Sequence, residues 1–132
     1  MPTRRLIAVT AATCVVAGPA LAELPPYVYE RARAEATDVV VFDVSHVQMM
    51  APGVLEGECR IEGRIASVER GDLPAGLELI LSVPCVDEAW TPRPGPFPGY
   101  RETALARAMQ VKVWIRDGQP VLRGLDVTAE RP

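Results

Sequence analysis

From Cys59 to Ala66 the chain alternates apolar and polar side chains. Cys59, Ile61 and Ile65 share one parity, and Arg60, Glu62 and Arg64 share the other. A period of two marks a half-buried β-strand. A second strand-like run, Leu77–Cys85, follows the turn-forming stretch Glu69–Gly76. Paired antiparallel with Cys59 opposite Cys85, the runs set Ile61 against Val83, Gly63 against Leu81, Ile65 against Leu79 and Ser67 against Leu77. All of these lie on one face. A slip of one residue would turn Arg60, Glu62 and Arg64 toward this apolar row. Hydrophobic alternation and the possibility of a disulfide thus select the same register.

The flanking segments extend this picture. Pro25-Pro26 and the Ala-, Arg- and Glu-rich residues after them predict a short helix within Glu23–Ala36. Val39–Val47, dense in β-branched residues around Phe42, predicts a strand that ends at Ala51-Pro52-Gly53. Prolines 84, 92, 94, 96 and 98 exclude a regular ladder or helix over Asp87–Tyr100. Arg101–Met109 reads as a short helix, Val111–Ile115 as a strand and Asp117-Gly118 as a two-residue hairpin turn. Pro120–Thr128 completes a fifth strand, with Pro120 tolerable at a sheet edge. Five strands with a helix between the third and fourth predict a mainly β protein, a five-stranded OB-fold-like Greek-key barrel with one disulfide.

Composition changes the picture at the amino terminus. Arg4 and Arg5, the apolar run Leu6–Ala17 and Ala20-Leu21-Ala22 have the three parts of a secretory signal peptide over residues 1–22. The run is shorter than the about 20 residues of a membrane-spanning helix, and no later run is longer. The expected exported domain covers residues 23–132. Losing Arg4, Arg5 and no acid takes the net charge from -3 to -5, and losing Cys14 leaves Cys59 and Cys85 as the only cysteines. In an oxidising compartment such a pair forms one structural bridge. Thirteen arginines against one lysine fit a GC-rich bacterial genome, so the expected location is periplasmic or secreted. The acidic balance argues against general nucleic-acid binding.

Ala36–Val44, followed by Ile61–Gly71, resembles the secreted OB-fold modules of the netrin-like class, which includes the tissue inhibitors of metalloproteinases. The similarity spans roughly residues 36–129. The inhibitors of that class place an N-terminal cysteine on a catalytic zinc. Here the expected mature start is Glu23 and Cys59 lies well inside the chain, so the resemblance implies the fold alone.

Candidate chemistry is sparse. Lys112, Trp114 and Arg116 alternate on one face of a strand, with Arg123 expected across the hairpin. That makes a basic face with an aromatic platform, suited to an acidic peptide, glycan or headgroup. The alternative is a solvated sheet face with Trp114 covered by a helix or loop. Trp90, Phe97 and Tyr100 flank the proline run and are placed to contact a partner if that run is preformed; otherwise the run is a stiff connector. His46 and Met50 share a strand face and are soft-metal ligand types suited to copper, with Met49 pointing away. Asp43, Ser45 and His46 form no triad, because strict alternation sets His46 opposite the other two. No phosphate loop or zinc-protease motif is present, and no cofactor is implied. The sequence therefore points to a non-enzymatic exported module binding an unknown periplasmic protein or envelope component, with a small-ligand or copper carrier as the alternative.

Overall fold

The computed structural model describes residues 24–50, 56–91 and 99–132. The signal-like segment, the Ala51–Gly53 break, Phe97 and the proline run lie outside the described residues. The elements run in the order α1 (Pro26–Ala34), β1 (Asp38–Met49), β2 (Glu56–Arg70), β3 (Glu78–Val86), β4 (Tyr100–Arg101), α2 (Glu102–Arg107), β5 (Ala108–Arg116) and β6 (Gln119–Glu130). The strands form one curled sheet in the order β4-β3-β2-β1-β5-β6. The architecture is mainly β, an open half-barrel with short helices. Among the described residues it has six strands rather than five, because Tyr100-Arg101 adds a parallel pair to Cys85-Val86.

Three bulges on the central pair put the curl into the sheet. Glu69 and Ala66 on β2 and Ser45 on β1 each interrupt the register between these strands. An extra residue bends its strand and increases the local twist. The concave side gathers Val40, Phe42, Ile61, Ile65, Leu81, Val83, Val111, Val113 and Leu125 into one core, and Leu105 of α2 packs into the same cluster. Gly63 sits beneath the Phe42 ring. A β-carbon there would run into the Asp43 carbonyl oxygen and meet the ring carbons at 2.7 and 2.9 Å.

The β2–β3 register differs from the expected one by two residues. Cys59 lies opposite Val83, Ile61 opposite Leu81 and Gly63 opposite Leu79, while Cys85 faces Gly57. The Cys59–Cys85 bridge forms nonetheless, on a diagonal, with the α-carbons 5.7 Å apart. That distance lies inside the range a disulfide tolerates. The turn fixes the offset: the Ile65 N–H donates to the Leu77 carbonyl and the Gly76 N–H donates to the Ile65 carbonyl. A two-residue slip keeps every side chain on its face, so alternation alone does not distinguish the two registers.

The hairpin between β5 and β6 forms at Asp117-Gly118 as expected. The φ values of 52° and 79° are those of a type I′ turn. Pro120 opens the edge strand β6 opposite Ile115.

Candidate binding site at the β6 bulge

The pairing of β6 with β5 breaks between Val113↔Leu125 and Ile115↔Pro120. The residues looped out between them include Arg123, whose φ of 51° places a side-chain-bearing residue in the left-handed region. That conformation costs of order 1–2 kcal/mol outside glycine. Gly124 permits the loop to close: a β-carbon there would meet the Val121 side chain at 2.7 Å and the Trp114 carbonyl oxygen at 2.9 Å. Arg123 therefore leaves the place opposite Lys112 across the hairpin to Asp126. The bulge takes it out of the alternation and lays its guanidinium over the Tyr29 ring of α1, 5.5 Å from the centroid.

Helix α1 has no fully buried residue, and only Val28, Tyr29 and Ala32 among its apolar side chains are partly covered. Arg33 clamps it to the sheet. Its Nη1 and Nη2 donate to the Asp126 carboxylate at 3.1 and 2.9 Å. Its Nε and Nη2 donate to the Arg123 carbonyl at 3.1 and 2.6 Å. The same guanidinium lies 3.9 Å from the Trp114 ring centroid. Lys112 approaches that ring at 5.1 Å and pairs with Glu69 at 2.6 Å. Arg116 reaches Glu35 at 3.5 Å. Arg70 donates to the Arg33 and Ala36 carbonyls at the helix end, where carbonyls lack helical partners. Lys112, Trp114 and Arg116 thus share one face, as alternation implies, and that face is occupied by the helix and its counter-charges.

This clamp gives a direct expectation. Arg33→Ala releases α1 while the β core stays folded. Amide exchange over residues 26–34 then accelerates at least tenfold and the near-ultraviolet signal of Trp114 changes, but the transition of the β core shifts by only about 1–2 kcal/mol. Unchanged exchange in α1 would show that the helix is held otherwise.

Tyr100 reaches the bulge from β4. The Leu125 N–H donates to its hydroxyl oxygen at 3.0 Å, and burial pushes its pKa above the ordinary tyrosine value. The structure thus brings Tyr100, Trp114 and Arg123 to one region and adds Tyr29, Arg33 and Asp126, which the sequence pattern did not single out. The sequence signal for Tyr29 and Arg33 was the N-terminal helix before the first strand, and for Asp126 only its place in the last strand. Two cavities flank the bulge. A groove of about 530 Å³ lies on the α1 side, lined by Leu24, Pro25, Pro26, Tyr29, Glu30, Arg33 and Arg123. A smaller, partly open cavity of about 230 Å³ lies on the β3 side.

The remaining candidates lie elsewhere. The Trp90 indole N–H donates to Glu56 at 2.8 Å, and Arg101 lies 5.9 Å from its ring. His46 projects outward opposite Glu62, whereas Met49 pairs with Cys59 and packs against the core. The Met50 N–H donates to the Glu58 carbonyl. Among the described residues no three His, Cys, Asp or Glu side chains come together to hold a metal. The Ser45 bulge corrects one expectation: His46 and Asp43 share the outer face rather than opposing one another, because the extra residue shifts the alternation. Ser45 Oγ nevertheless donates to the Glu62 carbonyl and Asp43 accepts from Gln110, so neither is directed at the imidazole.

No protein family, curated protein or solved structure matches this chain. Among the described residues no helix is long and apolar enough to cross a membrane.

Proposed function

We propose that this chain is a non-enzymatic, exported binding module of the bacterial periplasm, and that it docks a partner protein in the α1–β6 groove. The buried disulfide supports an oxidising destination, and the signal-like residues 1–22 support export. The carrying observation is Arg123, held at φ 51° over Tyr29 in the groove wall. Strained residues of this kind concentrate at functional sites. The prolines and Leu24 offer an apolar floor beside Arg123 and Glu30, with the Arg33 guanidinium already held by Asp126. This lining suits an apolar segment bordered by polar side chains.

The test is Arg123→Gly, which relieves the left-handed strain and deletes the cation. Its melting temperature is expected to stay level or rise, by a stability gain of up to about 1 kcal/mol. Recovery of the crosslinked envelope partner is expected to fall about tenfold. A destabilised variant with undiminished recovery per folded molecule would assign Arg123 a purely structural role and overturn this reading.

A further inference from the structure

Strand β3 has β2 on one side, and on the other β4 covers it only at Cys85 and Val86. The Ile65 N–H donates to the Leu77 carbonyl, which sets the phase of the β2–β3 ladder. Odd-numbered residues of β3 therefore bond to β2, and even-numbered residues point their N–H and C=O groups outward. The Ser82 N–H follows this phase and donates outward to Gln119 Oε1 at 2.8 Å. The backbone groups of Glu78 and Ile80 face the same way and have no partner among the described residues.

Nothing on this stretch resists pairing. Edge strands are ordinarily blunted by proline, lysine, a bulge or an inward-pointing charge. Leu77–Ser82 carries none of these, and its one acid, Glu78, points outward and pairs with Arg64 at 2.7 Å. Ile80 is 54% exposed on the outer side, while Leu77 and Leu79 lie half-buried at the rim of the core. The far edge of the sheet differs, because the last turn of β6 carries the exposed acids Asp126 and Glu130.

The free stretch is symmetrical about Leu79. It ends three residues away at Gly76, where the chain turns, and three residues the other way at Ser82, which Gln119 occupies. An antiparallel copy centred on Leu79 sets Gly76 opposite Ser82, so each chain turns off where the other's edge closes. A β-carbon at Gly76 would meet nothing within 4 Å, so the turn leaves room there. We propose that Leu77–Leu81 pairs antiparallel with the same segment of a second copy, joining two sheets edge to edge about a two-fold axis at Leu79. The Glu78 N–H then donates to the Ile80 carbonyl of the second copy and the Ile80 N–H to its Glu78 carbonyl. Symmetry supplies the reverse bonds. Leu79 meets its own counterpart on the core side, and neither Glu78 lies directly opposite a like charge. Centring on Ile80 instead would need the Ser82 N–H that Gln119 holds.

So short a segment is small beside the roughly 20–30 residues a side of a stable interface, so the dimer is weak, with a Kd of about 0.1–1 mM. The whole exported chain is followed by amide exchange and sedimentation equilibrium from about 0.02 to 1 mM, a range that brackets this Kd. The Ile80 amide should be protected at the top of the range and open at the bottom, while the mean mass rises toward that of a dimer. In a mixture of labelled and unlabelled chains, the two Leu79 α-hydrogens should show an intermolecular contact, because non-hydrogen-bonded antiparallel pairs lie closest. Ile80→Pro removes the outward N–H, leaves the bonds to β2 intact and should weaken association at least about tenfold. Ile80→Lys changes only an exposed side chain and should act alike, which keeps the test open if the proline variant fails to fold. A chain still monomeric at about 1 mM, or association that survives both substitutions, would overturn the pairing. So would a dimer without the Leu79 contact, or an Ile80 amide protected at every concentration, which would place another part of this chain on the edge. None of these results involves Arg123 or the α1–β6 groove.

Discussion

Replacing Cys59 and Cys85 together with alanine is expected to cost about 3.5 kcal/mol of folding free energy in the loop-entropy treatment of a 26-residue separation. Both residues are fully buried in the core cluster, so the vacated sulfur volume adds a packing penalty. Single domains have only about 5–15 kcal/mol in total, which makes this bridge a large share. The melting temperature should fall by roughly 15–25 °C, read by thermal circular dichroism of parent and double variant under the same buffer. The buried sulfurs also predict that dithiothreitol leaves the folded protein oxidised and reduces it only on unfolding. A loss below about 1 kcal/mol, or rapid reduction of the native protein, would mean that the bridge contributes little to this core.

Gly63→Ala should be as damaging, for a different reason. The new methyl group points into the core and meets the Asp43 carbonyl oxygen as well as the Phe42 ring. The ring can turn aside, but the carbonyl belongs to the β1 backbone beside the Ser45 bulge and is fixed by the pairing with β2. Overpacking against movable side chains costs about 1–3 kcal/mol, and displacing a central strand costs more. We expect at least about 3 kcal/mol in urea denaturation. Combining Gly63→Ala with Phe42→Ala should not restore stability, because the backbone clash remains and the ring's own burial is lost. Recovery in the double variant would show that the ring alone sets the requirement for glycine.

How far the site could be read from sequence varies by residue. Trp114, Lys112 and Arg116 were placed together by simple alternation, since no bulge interrupts Lys112–Trp114 along β5. Arg123 was not, because the four residues Val121–Gly124 leave the ladder and no local pattern announces that. His46 was turned onto the Asp43 face by one extra residue at Ser45. Arg33 clamps partners 90 and 93 positions away, a relation that neither propensity nor periodicity contains. Tyr100, read as the end of a loop, became a strand residue only through its parallel pairing with Cys85.

The amino-acid order by itself determined the mainly β class, the approximate span of each long strand, the two short helices, the two-residue hairpin and the pairing of the cysteines. Each of these follows from alternation, turn chemistry or counting, which act over a few neighbouring residues. Only the tertiary structure decided the two-residue offset of β2 on β3, the position of the bulges and the docking of α1. Those depend on which of several face-preserving arrangements brings distant backbone and charge into contact, and a local pattern assigns them equal merit.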